Sequence, residues 1–170
     1  MAFNFRELFD QSGPAVLRYL RRLTGSRAEA EDILQETFLK LHLQSSTDVR
    51  LDNARAWIFR VATNLARDRE RHRLVERREV SRAADRNVVD FETRLQRQQL
   101  TRRTLRRMPP RMRQVLILWS EGFSYREIAD ITGIEAGYVG VLLQRARAAF
   151  RKYYDEHELE TESPRVKRQT

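Results

Sequence analysis

Apolar residues near the start of the chain recur at the helical period, with Phe5, Leu8, Phe9, Val16, Leu17 and Leu20 in register. Gly13-Pro14 interrupts the stripe, which predicts two short helices or one kinked helix ending near Thr24-Gly25. Ser26 followed three residues later by Glu29 has the capping-box pattern, in which each side chain satisfies a free amide of the first turn. A helix is predicted from there to about Leu43, with Ala30, Ile33, Leu34, Phe38 and Leu41 inward. Gln44 to Asn53 is polar and reads as a loop, with Asn53 placed to cap a third helix from Ala54 to about Arg73. The first part of that helix, "ARAWIFRVATNLA", is aromatic and amphipathic, whereas "RDRERHR" after it has nothing to bury. From Leu74 to Glu92 charge dominates and apolar residues are isolated, the composition of a linker.

A second apolar cluster begins near Thr93, where Leu95, Leu100, Leu105 and Met108 form a weak helical stripe that Pro109-Pro110 must stop. Pro110 suits the first turn of a following helix, in which Met112, Val115, Leu116 and Trp119 are expected to pack before Gly122. Ser124 and Glu127 form a second capping box, launching a helix through Ile128, Ala129 and Ile131. Thr132-Gly133 makes a turn, and a last helix runs from about Ala136 to Tyr153 with Val139, Leu143, Ala146 and Phe150 inward. The pattern predicts an all-α chain of two small helical domains, 1–75 and 93–155, joined by a charged linker over 76–92 and followed by a frayed polar tail over 156–170.

With 170 residues, 41% hydrophobic and 34% charged, each domain has only a modest core. The formal net charge of +9 points to a polyanionic partner, with nucleic acid ahead of a membrane surface. Neither an apolar run of about 18 residues nor a lipidation motif is present, so no membrane insertion is expected. The start, "MAFNFRELFD", lacks the basic-then-apolar layout of a secretory signal, and there is no cysteine; both suit a cytoplasmic location. Lysine occurs only at Lys40, Lys152 and Lys167, so the positive charge is almost all arginine, suited to forked contacts with phosphate and guanine as well as to a bias in coding composition. His42, His72 and His157 are scattered, with no metal-ligand spacing and no glycine-rich phosphate loop, so no catalytic residue, metal or cofactor is assigned and the chain is not read as an enzyme.

The stretch "SYREIADITGIEAGYVGVLLQRAR", Ser124 to Arg147, supplies a short helix, a glycine turn and a second helix, the parts of a helix-turn-helix. An ordinary hairpin in a bundle has the same outline, but it does not require the basic run Arg145, Arg147, Arg151 and Lys152. "MPPRMRQVLILWSEGFSYREIADITGI" followed by "LLQRARAAFRK" resembles the fourth region of extracytoplasmic-function (ECF) sigma factors of the sigma-70 type. "AEDILQETFLKLH" and "ARAWIFRVATNLARDRERHR" resemble their second region. The resemblance covers roughly Phe5 to Arg73 and Thr93 to Tyr154 and requires several motifs in order.

It implies a bacterial transcription initiation factor that binds core RNA polymerase, double-stranded promoter DNA and the melted non-template strand, with an anti-sigma factor as a further partner. By position, Glu31, Asp32, Leu34, Gln35, Glu36 and Phe38 fall in the core-binding helix. Trp57, Arg60, Asn64, Arg67 and Arg71 fall where the minus-ten element is held, with Asn64 at a pocket for a flipped-out base, Ser45 to Asn53 on its rim, and Arg73 a further phosphate contact. Helical geometry adds that Trp57 and Phe59 cannot both point inward with Ile58, Val61 and Leu65, so at least one aromatic belongs near the surface or in the cleft.

For the minus-thirty-five element the resemblance indicates Tyr125, Arg126, Tyr138, Gly140, Val141, Leu142, Gln144, Arg145 and Arg147. The chain departs from the family pattern at Gly140, Val141 and Leu142, positions commonly polar or basic, and at Glu135, which replaces the usual serine cap. Two accounts stand. The helix reads thymine methyls and groove shape through Tyr138, Val141 and Leu142 while Gln144, Arg145 and Arg147 supply polar contacts, or that face meets a protein. Beside the sigma reading stand a one-component helix-turn-helix regulator and a sigma-like interaction protein with weakened promoter reading.

Overall fold

The computed structural model describes residues 5–44, 54–79 and 94–162, and among them there are seven helices and no strand. These are α1 (Phe5–Thr24), α2 (Arg27–Gln44), α3 (Ala54–Glu79), α4 (Arg94–Arg107), α5 (Pro110–Ser120), α6 (Tyr125–Thr132) and α7 (Ala136–Glu162). The all-α expectation holds.

Gly13-Pro14 does not break α1, which runs unbroken past it. Pro14 and Asp10, whose carbonyl loses its helical partner, are both exposed to water, while Leu8 before the proline and Val16, Tyr19 and Leu20 after it are buried in one core. Packing on both sides of the proline offsets the single missing hydrogen bond. In α2 the inward positions are Ala30, Ile33, Phe38 and Leu41, as expected, with Leu34 only half-buried and Thr37 buried beside them. The Thr37 hydroxyl satisfies itself by donating to the Ile33 carbonyl at 2.7 Å.

The core face of α3 differs from the expected one. Ala54, Ile58, Phe59, Ala62, Thr63 and Ala66 are buried, while Val61 and Leu65 are half-buried. In α5 the buried apolar set is Val115, Ile117 and Leu118, and Trp119, expected inside, is 42% exposed. Helix α3 continues to Glu79 and α7 to Glu162, so both outrun the sequence-based boundaries; the last stretch of α7 is pinned to α4 by an Arg107–Glu156 ion pair at 2.8 Å and by Arg107 over the Tyr153 ring. Gln44, expected to open a loop, is the last residue of α2; residues 45–53 with the Asn53 cap, and most of the charged linker, lie outside the described residues.

Helices α1–α3 and α4–α7 form two clusters, and they pack together: α3 lies on α6, and α1 on α5 and α4. Phe59 of α3 meets Phe123, in the α5–α6 turn, edge-on at 4.7 Å between centroids, and Arg55 lies over the other ring at 4.2 Å. Tyr19, fully buried on α1, shares a 2.7 Å hydrogen bond with Thr63 of α3 and a further one with Gln114 of α5. Arg113, buried on α5, donates to Glu70 of α3 at 3.0 Å. A buried charge needs such a partner.

Candidate nucleic-acid interface

On α2 the expected core-binding residues divide by exposure. Asp32 and Gln35 are exposed, Glu31, Leu34 and Glu36 are half-buried, and Phe38 is buried at 3% exposure. Phe38 therefore cannot meet a partner directly; its ring is enclosed by Phe9 at 4.7 Å and Phe5 at 6.1 Å, edge-on to both. The carboxylates are not idle acceptors either. Asp32 and Glu36 converge on Arg69 of α3 at 3.8 and 3.2 Å, and Glu31 holds Arg27 at 2.6 Å. Sequence reasoning missed Leu39 and Leu43, which are 57% and 69% exposed and continue the Asp32, Gln35 face at helical spacing. Their signal was present: both are apolar residues off the inward stripe.

Asn64 is exposed on α3 in an open cleft of about 390 Å³. Trp57, half-buried, and Val61 and Leu65 form its apolar wall, and Trp57 and Leu65 also pack against the core. Lys40 and Gln44 reach it from α2, and Asp68 stands one turn beyond Asn64. The cleft thus offers an aromatic edge, an amide, an ammonium and a carboxylate, a set able to stack on a base and pair with its edge. Lys40 and Asp68 were not foreseen; Asp68 is visible in sequence only as the residue one turn from Asn64.

Of the arginines expected on the minus-ten surface, Arg60 and Arg71 are exposed, and Arg71 contacts Asp68 at 3.7 Å. Arg73 pairs with Glu29 at 3.1 Å. Arg67 is otherwise employed: it donates to the Thr132 carbonyl at 3.1 Å, and Arg111 donates to the same oxygen at 3.2 Å. That carbonyl is at the C-terminal end of α6, where the helix dipole favours cations. Burial, and then the Arg111 charge, push the Arg67 pKa down from its ordinary value. In this arrangement Arg67 joins the two clusters and is not a free phosphate contact.

The helix-turn-helix is built as its sequence predicts. Ser124 Oγ accepts from the Glu127 amide at 3.3 Å, and the Glu127 carboxylate accepts from the Ser124 amide and hydroxyl, each at 2.7 Å. The hydroxyl first and the amide second hold the Glu127 carboxyl below the usual carboxylate range. Gly133 ends α6 at φ +69°, a left-handed conformation that glycine adopts without a steric penalty. Val139, Leu142, Leu143 and Ala146 then seat α7 in the core. Leu142, expected on the reading face, is thus turned inward with 7% exposure, because it lies three residues from Val139 on the buried stripe.

The outer face of α7 carries Tyr138, Val141, Gln144, Arg145 and Arg147, all exposed, with Arg126 and Tyr125 of α6 also exposed. Gly140 is half-buried, and a Cβ there would meet the Tyr125 ring at 3.4 Å, an ordinary contact, so the ring lies beside α7 with room for a small side chain. Arg145 donates to the Tyr138 hydroxyl at 3.1 Å, and the Arg147 guanidinium stacks 4.0 Å from the Trp119 ring centroid. Each arginine is held by an aromatic side chain. Trp119 was read from sequence as core and is instead part of this surface.

The described residues contain no group of three or more His, Asp or Glu placed to hold a metal ion, and no helix long and apolar enough to cross a membrane. A basic chain whose described residues are all helical, with an exposed helix-turn-helix face and an open polar cleft on a separate helix, has the features of a nucleic-acid-binding protein. Residues 8–74 match sigma-70 region 2, and residues 98–150 match sigma-70 region 4. The chain is 32% identical over 165 residues to the ECF RNA polymerase sigma factor SigE of Mycolicibacterium smegmatis, across 91% of this chain and 63% of that protein. It is 30% identical over 162 residues to the RNA polymerase sigma factor CarQ of Myxococcus xanthus, across 92% of both chains. The structure of CnrH in complex with the cytosolic domain of CnrY superimposes with a TM-score of 0.66 at 26% identity, covering 89% of this chain and 88% of that one. The sigma factor RpoE from Bartonella quintana, in complex with the anti-sigma factor NepR, shares the fold with a TM-score of 0.73 at 23% identity, over 89% of this chain and 96% of that one. The chain belongs to the ECF subfamily of sigma-70-type RNA polymerase sigma factors.

Proposed function

We propose that this chain is a promoter-specificity subunit that binds core RNA polymerase through the outer face of α2, holds a flipped minus-ten base in the Asn64 cleft, and reads the minus-thirty-five element with α7. The single observation that carries the reading is the presence, in one chain, of the Asn64 cleft on α3 and a helix-turn-helix whose second helix keeps its outer face exposed. A one-component regulator needs only the second of these. Units 1–75 and 93–155 serve as the two working parts, the chemistry of RNA synthesis belongs to the polymerase, and the chain works in the cytoplasm.

On α2 the contact surface is Asp32, Gln35, Leu39 and Leu43, with Glu31, Leu34 and Glu36 at its edge and Phe38 supporting it from below. On α7, Arg145 and Gln144 make the directed contacts and Tyr138 and Val141 fill space against thymine methyls. The relatives CnrH and RpoE were solved with proteins that bind them, RpoE's being an anti-sigma factor. An anti-sigma partner for this chain is supported by the exposed Tyr125, Tyr138 and Val141, each 42% exposed or more.

The test is binding of the full chain to purified core RNA polymerase, with Asp32→Ala and Gln35→Ala combined in one variant. Weaker binding with unchanged helicity by circular dichroism supports the α2 contact. Failure of the unmodified chain to bind core enzyme refutes the function.

A further inference from the structure

Helices α1 and α4 diverge into a cleft of about 500 Å³ whose walls carry Arg18, Arg21 and Arg22 on one side and Arg97 and Arg102 on the other, with Leu105 among its lining residues. Neither promoter-reading face includes it. One carboxylate neutralises part of this charge. Glu121, whose side chain is only 8% exposed, accepts from Arg18 at 3.2 Å and from Arg22 at 3.1 Å, one arginine on each carboxylate oxygen. Arg21, Arg97 and Arg102 meet no carboxylate among the described residues.

Five guanidinium groups lining one cleft, with Glu121 the carboxylate paired to them among the described residues, repel one another and attract anions strongly. Their layout selects the kind of anion. Arg18 and Arg22 share one face of α1, about 6 Å apart in helical rise, and Arg97 and Arg102 are about 7.5 Å apart along α4, so the charges are spread along both walls of the cleft. Arg18 and Arg22 keep 58% and 45% of their side chains exposed. Exposed, forked donors spread along a cleft suit an extended chain of phosphates lying along it, whereas a compact polyphosphate calls for convergent, enclosed donors. Gln98 and Thr101 on the same wall add neutral polar groups.

We propose that the α1–α4 cleft binds the phosphodiester backbone of duplex DNA without regard to sequence, its phosphates displacing the Glu121 carboxylate from Arg18 and Arg22. Glu121 also accepts from Arg55 through its carbonyl at 2.7 Å, at the turn that docks the second cluster on the first. Displacement of the carboxylate leaves this carbonyl contact in place, so the two walls of the cleft stay docked while Arg18 and Arg22 turn to phosphate.

The experiment uses the full chain and a fluorescein-labelled random-sequence duplex, with anisotropy titrations across a range of sodium chloride concentrations. A random duplex keeps the outcome independent of promoter recognition. The cleft variant is Arg97→Ala with Arg102→Ala; the charge-matched control is Arg6→Ala with Arg103→Ala, exposed residues that do not line the cleft. The cleft variant is expected to lose roughly tenfold or more in affinity at 0.1 M salt and to flatten the salt slope by nearly 2, at about 0.9 per phosphate contact, while the control changes little. Glu121→Gln is expected to bind the duplex more tightly and with a steeper salt slope. Equal losses in the two double variants overturn the site, and unchanged or weaker binding by Glu121→Gln overturns the displacement. Inorganic tripolyphosphate separates the two sources of phosphate: saturable one-site binding lost in the cleft variant, with the duplex slope unaltered there, overturns the DNA assignment in favour of a small polyphosphate.

Discussion

Tyr19→Phe removes one oxygen from the junction that ties α1 to α3 and α5. The phenol is fully buried, its hydroxyl lies 2.7 Å from Thr63 Oγ1, and Gln114 supplies a further hydrogen bond. Burial pushes its pKa well above the ordinary tyrosine value, against smaller opposing effects from those two hydrogen bonds. An unfolded tyrosine loses its proton near pH 10. Above that pH the unfolded chain releases the proton and the folded chain keeps it, so the stability that Tyr19 contributes is complete below about pH 10 and is lost as the pH rises. One pH unit above the unfolded value, the loss is about 1.4 kcal/mol. At pH 8 the phenylalanine variant leaves Thr63 and Gln114 short of a partner, at a cost of about 1 to 3 kcal/mol. The gap between the two proteins should therefore narrow by about 1.4 kcal/mol between pH 8 and pH 11, because other titrating groups cancel in the difference. Urea unfolding followed by circular dichroism at several pH values measures it. A gap that stays constant across this range refutes the argument from burial.

Asn64→Ala should impair promoter melting and loosen preference at one minus-ten position, by about 1 to 3 kcal/mol for a lost paired contact, with duplex binding by α7 unaffected; permanganate reactivity on a promoter series reads both, and a uniform loss at every promoter variant indicates a structural role instead. Arg145→Ala should weaken minus-thirty-five binding, flattening its salt dependence if it holds a phosphate or relaxing one base preference if it reads a base. Val141→Ser should cost less and act chiefly at thymine-containing steps. If both variants keep DNA binding but lose association with a regulatory protein, the outer face of α7 is a protein-docking surface. Ser124→Ala should cost about 1 kcal/mol through loss of the cap. Because the Glu127 carboxyl is held below its ordinary pKa by Ser124, its contribution is full above the unfolded carboxylate value and lost as the pH falls through the folded one. The alanine variant should be correspondingly less sensitive to acid in thermal melts.

What could be seen in the sequence was local. The Ser124–Glu127 box spans four residues and the Gly133 turn one, so spacing alone locates them, and the structure has both. The proline in α1 misled because its cost is local and the packing that offsets it comes from helices far along the chain. Trp119 reads as core by hydrophobicity, yet α5 already fills its inward face with Val115, Ile117 and Leu118, leaving the indole to Arg147 on another helix. Leu142 was placed outward by the register of the family pattern, although Val139 and Ala146 put it on the buried stripe. The Arg18–Glu121 contact joins residues 103 apart, and Arg67 reaches a carbonyl 65 positions away. No periodicity encodes such pairings; they follow only once the two clusters are docked.

Transcription by purified core RNA polymerase on a promoter library, with and without the full chain, tests the central claim most directly. The account predicts transcripts that appear only with the chain, from templates sharing one minus-ten and one minus-thirty-five sequence, with the minus-ten preference relaxed at a single position by Asn64→Ala. A chain that binds core polymerase yet yields no template-selective transcripts above the core enzyme alone would contradict it.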